Sequence, residues 1–217
     1  MHMTVRYGIS LIPEPVFTSR VYRLRQLVCG QYGAWAAEME MLHMPLIPYF
    51  DSSEEGISNI SIGLERISAE SQKNSLRFPL VSRGVGHMLE NCDDIFLEFT
   101  VAEDPIDRGQ RHLQKLWWKI LELVESTSGT VIPDINILKS DYKPYIYLMK
   151  HANLSDSVFL SAVTFAENVI RDLNIPNSTK AWQLQLIRFE SNSDIESWNK
   201  GGWVSDLRWR VLESYSL

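Results

Sequence analysis

Apolar positions along the chain switch between two periods. Tyr7-Gly8-Ile9-Ser10-Leu11-Ile12 reads as a half-buried strand that stops at Pro13-Glu14-Pro15. Phe17, Val21, Leu24 and Leu27-Val28 then recur at helical spacing, with Gly30 or Gly33 to end the helix. A second extended stretch is expected from Glu38 to Phe50. Ser52-Ser53-Glu54-Glu55 follows as a helix start, with an apolar stripe at Ile57, Ile60, Leu64 and Ile67. The same order then returns. Asp94 to Val101 is strand-like, and Leu113, Leu116, Trp117, Ile120, Leu121 and Val124 mark a strongly amphipathic helix. Pro144-Tyr145-Ile146-Tyr147-Leu148 is extended, and Phe159, Val163, Ala166, Val169-Ile170 and Leu173 give another helix. Strand–helix–strand–helix thus occurs twice, about ninety to a hundred residues apart.

Extended segments are also expected at Leu76–Leu80, Ala181–Phe189 and Trp203–Leu217, the last two carrying Trp182, Trp203 and Trp209 as packing material. The polar stretches 125–134 and 190–202 are too short to separate independent domains. The pattern predicts an α+β fold with a two-lobed, duplicated strand–helix–strand–helix architecture and antiparallel sheets around a central cleft. Residues 1–217 are read as one two-lobed domain. Its repeats cover about 3–72 and 93–175, and 76–90 and 179–217 supply further strands.

Composition narrows the function. The 217 residues are 45% hydrophobic and 22% charged, as in globular proteins. Lys and Arg number 21 against 27 Asp and Glu, a net charge of −6. That excludes a broad basic surface for extended duplex DNA and leaves room for a local cationic pocket. Cys29 and Cys92 are too few for a disulfide framework or a four-thiolate zinc site, and read as small buried hydrophobes of a reducing compartment. The N-terminus lacks the basic and apolar blocks of a secretory signal, and no apolar run approaches the roughly 18–20 residues of a membrane span. A cytoplasmic location without membrane attachment is expected. The five histidines are scattered, with no His-x-x-x-His, P-loop or Gly-x-Ser-x-Gly, so neither a metal nor a cofactor is expected. Gly84-Val85-Gly86 is explained by a tight turn.

Two short motifs stand where the repeats place a strand. Leu42-His43-Met44-Pro45-Leu46 looks like a first His-x-Thr/Ser motif. Arg77-Phe78-Pro79-Leu80 with Arg83-Gly84-Val85-Gly86, then Ile95-Phe96-Leu97-Glu98-Phe99, then Leu113 and Leu116, follow in order. Pro144-Tyr145-Ile146-Tyr147-Leu148 stands where Pro-His-x-Thr-Leu would. In this ordered series the chain resembles the two-histidine phosphoesterases, which include RNA 2′,3′-cyclic phosphodiesterases and the so-called 2′-5′ RNA ligases. The resemblance implies a cleft in which two imidazoles and two hydroxyls bracket a phosphate. One histidine serves as base, the other as acid, and the hydroxyls hold the non-bridging oxygens.

Of those four groups His43 alone is kept. Pro45 has no hydroxyl, and a proline in a strand implies an edge or a bulge. Tyr145 and Tyr147 replace the second pair, and an unperturbed phenol is a poor base at pH 7. The resemblance makes His43, Tyr145 and Tyr147 the cleft residues, His43 the one catalytic candidate, and Ser10 and Arg6, sharing a face of the first strand, their companions. Cations for a phosphate are Arg6, Arg83, Lys143, Lys150 or Arg188. His151 is read as a loop histidine about 20 Å along from Tyr145 if the strand continued. His87 and His112 are read as exposed, and His2 as terminal. Trp117 belongs to the core stripe, and Trp118 to its shoulder.

Three functions follow. The first is binding of a nucleotide, a cyclic mono- or oligonucleotide or an RNA end, with catalysis lapsed. The second is a divergent 2′,3′-cyclic or cyclic-nucleotide phosphodiesterase using His43, helped by a tyrosine of lowered pKa or by His151. The third is a protein-interaction module docking a protein partner through its tryptophan-rich C-terminal part.

Overall fold

The structure, a computed structural model, describes residues 3–73, 77–88, 94–100, 108–133, 135, 142–198 and 200–217, with the side chains of 108–111 excepted. His2, Leu76, Cys92 and Val101 lie outside the described residues.

Among the described residues eight strands form a single sheet: β1 (Thr4–Pro13), β2 (Met44–Ser52), β3 (Pro79–Met88), β4 (Asp94–Phe99), β5 (Thr130–Val131), β6 (Tyr145–Met149), β7 (Ser178–Ser191) and β8 (Arg208–Ser216). Their order is β5-β2-β1-β7-β3-β4-β6, with β8 also on β7, and the pairings are antiparallel. Four long helices are α1 (Pro15–Tyr32), α2 (Glu54–Lys73), α3 (Arg108–Ser126) and α4 (Asp156–Asp172). The expected duplication is therefore present as β1-α1-β2-α2 and β4-α3-β6-α4, in an α+β fold. Strand β7 ties the halves together: it pairs β1 through Ala181–Ser191, β8 through Gln183–Glu190 and β3 through Ser178–Lys180.

Local chemistry sets the element ends. Proline at the start of α1 supplies a ready-made helical φ, and Gly33 at φ 69° turns the chain out while its N–H bonds the Cys29 carbonyl. In β2 Pro45 and Pro48 stand where the outer edge is unpaired, because β5 meets β2 only at Asp51 and Ser52. Missing proline donors cost little there, and register shifts against β1 flank both sites, as the edge-or-bulge expectation requires.

The four helices cover one face of the sheet. Their apolar stripes, including Val21, Leu24, Ile60, Leu64, Ile120, Leu121, Phe159 and Val163, close a single core against Ile9, Leu11, Leu46, Leu97, Ile146 and Leu184. On the opposite face a smaller cluster gathers Ile187, Phe189, Trp198, Trp203 and Leu207. Trp117 donates its indole N–H to the Leu46 carbonyl at 3.1 Å, and Trp118 is 40% exposed.

Three expectations are corrected. Residues 36–39 form a 3-10 turn, so the strand begins at Met44 and His43 sits just before it. Gly202–Ser205 is likewise a 3-10 turn, and the C-terminal strand starts at Arg208. Gly84-Val85-Gly86 is not a turn but the middle of β3, facing Glu98, Leu97 and Phe96. Gly86 is needed there because a Cβ would stand 2.3 Å from the Phe96 ring.

Candidate functional site

Strand alternation places one set of side chains in the helical core and the next on the bare face. In β1, Tyr7, Ile9 and Leu11 enter the core, whereas Gly8 and Ser10 line a cavity on the other side. In β6, Ile146 and Leu148 are core, whereas Tyr145 and Tyr147 line the same cavity. Gly8 leaves space for Phe189, whose ring would lie 3.1 Å from a Cβ at that position. The cavity measures about 410 Å³, within the range of small-molecule sites. Glu40, His43, Tyr49, Asp94, Lys150, His151, Trp198 and Trp203 complete its chemically distinctive walls.

His43 Nδ1 lies 2.7 Å from the Met41 carbonyl oxygen. A carbonyl only accepts, so Nδ1 carries the proton and Nε2 keeps its lone pair. Burial is the largest influence on the imidazole and holds it below its ordinary value, although the Glu40 carboxylate and the Met41 carbonyl pull the other way. The ring is neutral at pH 7.

Tyr145 and Tyr147 share a strand face, their rings are 4.8 Å apart edge to face, and their hydroxyls are 3.2 Å apart. Burial raises both phenols, Tyr147 well above 10, and the neighbouring Asp94 carboxylate adds to the effect in each. A tyrosine of lowered pKa, which the divergent-enzyme reading offered as one helper, is therefore contradicted. Both residues are neutral hydrogen-bonding groups with aromatic faces.

Glu40 and Lys150 form a buried pair at 3.1 Å. The Tyr49 hydroxyl donates to the same Glu40 oxygen. Burial alone would raise the Glu40 carboxyl, but Lys150 foremost, with Tyr49, holds it below the ordinary value, so it is ionised. The ammonium stands 4.7 Å from the Tyr147 ring centre, 4.8 Å from Trp203 and 5.4 Å from Tyr49. Taking an ammonium out of water costs several kcal/mol. One carboxylate and three ring faces, each worth up to about 2 kcal/mol when desolvated, offset that cost.

His151 departs from the sequence reading. Strand β6 ends at Met149, and His151 adopts φ 50° with its N–H on Asp94 Oδ1 at 3.0 Å. The turn folds its imidazole back to the cavity wall, 5.6 Å from the Trp203 ring centre, instead of carrying it along a strand.

Four of the five site residues expected from sequence (His43, Ser10, Tyr145 and Tyr147) meet at this cavity. Arg6 is not among its lining residues: it is 1% exposed, 3.5 Å from Asp51, with its guanidinium 5.5 Å from the Trp198 ring centre. Of the other candidate cations Lys150 lines the cavity, Arg188 is paired with Glu190 at 2.7 Å, and Arg83 and Lys143 are exposed. Glu40, Tyr49, Asp94 and the Trp198–Trp203 wall escaped the sequence reading, because no local spacing links them. Glu40 and Lys150 are 110 positions apart. Among the described residues no cluster of three or more His, Cys, Asp or Glu side chains is arranged to hold a metal, and no helix is long and apolar enough to cross a membrane.

Compared by sequence, the chain matches no family model and no curated protein. Its fold has solved counterparts. TT0787 of Thermus thermophilus superposes with a TM-score of 0.58 at 16% identity, over 98% of this chain and 97% of that one. A protein described as a phosphoesterase gives 0.55 at 13% identity over 99% of both chains. E. coli LigT in its apo form gives 0.52 at 14% over 100% and 99%, and LigT complexed with 3′-AMP gives 0.50 at 14% over 98% of both. Identities this low carry the fold and not the activity. This chain therefore has the fold of TT0787, of that phosphoesterase and of E. coli LigT, with the double strand–helix–strand–helix unit that its sequence predicts.

Proposed function

We propose that the chain binds a nucleotide, a cyclic mono- or oligonucleotide or an RNA end in this cavity, and that two-histidine catalysis has lapsed. One observation carries the reading: the second motif is filled by Tyr145 and Tyr147, two neutral phenols held against each other, where the chemistry requires an imidazole and a hydroxyl. Losing one acid–base partner costs about 10²–10⁴ in rate. What replaces it suits binding. Base stacking on aromatic rings contributes about 1–3 kcal/mol per base, and Tyr49, Tyr145 and Tyr147, each partly exposed on the cavity wall, supply such surfaces. Lys150 offers a cation on the same wall. E. coli LigT, which shares the fold, is described complexed with 3′-AMP. In this reading residues 1–217 are one two-lobed domain, with repeats at about 3–72 and 93–175, acting in the cytoplasm.

The divergent phosphodiesterase is the second reading, favoured by the free Nε2 of His43 and by His151 on the same wall. One experiment separates the two. Purified protein in molar excess is incubated with pooled 2′,3′-cyclic and cyclic oligonucleotides, and retained material is released by heat and identified by mass. Intact nucleotide supports binding, and its affinity should fall about tenfold in Tyr145→Phe or Tyr147→Phe, a loss on the scale of one hydrogen bond. Converted nucleotide, with turnover lost in His43→Ala, replaces binding with catalysis. Nothing retained and nothing converted rejects both.

A further inference from the structure

The charges at the cavity wall do not sum to a phosphate trap. Its charged side chains are Lys150 on one side of the balance and Glu40 and Asp94 on the other. Arg6, one of the guanidinium groups the sequence suggested, is buried beside Asp51 and outside the lining. An ammonium has three N–H donors, and Glu40 Oε1 takes one at 3.1 Å. The rings of Tyr147, Trp203 and Tyr49 surround the remainder at 4.7, 4.8 and 5.4 Å, and rings attract a cation without using up its donors. Lys150 is thus held in place with donor capacity to spare, beside a carboxylate that cannot leave. Glu40 is 5% exposed, and the Tyr49 hydroxyl fixes it from another side.

We propose that Lys150 anchors the anionic group of the ligand and that Glu40, sharing that lysine, is the specificity-determining residue that admits a singly charged phosphodiester and disfavours a doubly charged phosphomonoester. The inference rests on the nucleotide reading above and deepens it. A single negative charge is met by the ammonium, and a second one faces the buried Glu40 carboxylate, where like charges repel more strongly than in bulk water. Glu40→Gln keeps an oxygen for Lys150 and for Tyr49 and removes only the charge. A purely structural Glu40 and a charge-selecting one therefore differ in sign: losing the first weakens every ligand, and losing the second strengthens the dianion most.

The test is calorimetric titration at pH 8 with adenosine 2′,3′-cyclic phosphate, which carries one negative charge, and with 3′-AMP, which carries two above its second pKa near 6. Ligand integrity is checked by chromatography afterwards. The wild type should prefer the cyclic phosphate by about tenfold or more. Glu40→Gln should bind both probes more tightly and narrow that preference at least threefold, and Lys150→Met should weaken both by about tenfold or more, the size of a charge-assisted hydrogen bond. A preference unchanged in Glu40→Gln, or a fall in both affinities, overturns the inference and leaves the nucleotide reading standing. Wild-type protein that binds neither probe overturns both together. Should Glu40→Gln fail to fold, the double variant Glu40→Gln/Lys150→Met leaves no unpaired member of the buried pair; there the preference should again narrow, and full wild-type discrimination overturns the inference.

Discussion

Burial governs the titration of His43 in the cavity, with a consequence for stability. Its imidazole sits below the ordinary value in the folded protein because the charged form is poorly solvated there. In the unfolded chain it titrates near 6.5. As pH falls through that value the unfolded state takes up its proton first, so the native state loses stability until its own lower pKa is passed. Glu40 acts in the same direction, because its depressed carboxyl protonates first in the unfolded chain, but it does so only at more acidic pH. A fall in the urea midpoint between pH 7.5 and 5.5 is therefore a histidine effect. The expected result is a decline in the wild type that is visibly flatter in His43→Gln; equal slopes would show that His43 is not held neutral. Cys29 is the opposite kind of buried group. Its thiol, pushed up to about 12 chiefly by burial, donates to the Leu148 carbonyl and contributes packing, not reactivity.

At the scale of elements, position 201 controls what His151 can do. Gly201 has φ 78°, and a Cβ there would lie 2.8 Å from His151 Cδ2. An alanine adds about 1–2 kcal/mol of left-handed strain and must also displace the imidazole. Gly201→Ala should therefore lower the melting temperature by about 2–8 °C for a chain of this size. It should also shift the His151 ring resonances while leaving those of His87 and His112, which pack on Phe159 and Phe78, in place. Unmoved His151 resonances would refute the contact. The elements themselves were largely legible: α1, α2 and α3 enclose three of the helical stripes and α4 all of the fourth but Leu173, and β1, β4, β6 and β7 each cover most of an alternating run. Periodicity works where consecutive residues repeat one environment over several turns or pleats. It fails over residues 36–43, where a single 3-10 turn has no period to read and only contacts to Arg25 and Lys150 explain why Glu38 and Glu40 turn inward. It fails again at Lys150-His151, where the strand ends in a left-handed residue that no pattern announces. Strand alternation thus anticipates that Ser10, Tyr145 and Tyr147 line one face, whereas Glu40 and His151, held by turns, have no such signal.

At the scale of the whole molecule, the cavity lies between two halves that the sheet joins narrowly. His43, Ser10 and Tyr49 belong to the β1–β2 side, and Asp94, Tyr145, Tyr147 and Lys150 to the β4–β6 side. The hydrogen-bonded path between them runs through β7 and its pairing with Pro79, Leu80 and Val81 of β3. Helix α1 adds packing against α4 and β6. Three residue pairs are a short seam for a sheet, and its local opening is the motion expected between two sides that α3 on β2 and α1 on α4 otherwise hold together. A ligand that touches both sides removes that motion, whereas one lodged on a single wall does not. Bound nucleotide at one hundred times its dissociation constant stabilises the protein by about 2.7 kcal/mol whichever wall it uses, so a thermal shift cannot distinguish the cases. Amide exchange can. With a retained nucleotide at saturation, protection should rise together over Pro45–Tyr49 of β2 and Tyr145–Met149 of β6, and also across Pro79–Val81, which contacts no ligand in this arrangement. Slowing confined to one side would mean that the two walls do not share a ligand. The cleft between the duplicated units would then be a consequence of the fold and not the place where this chain works.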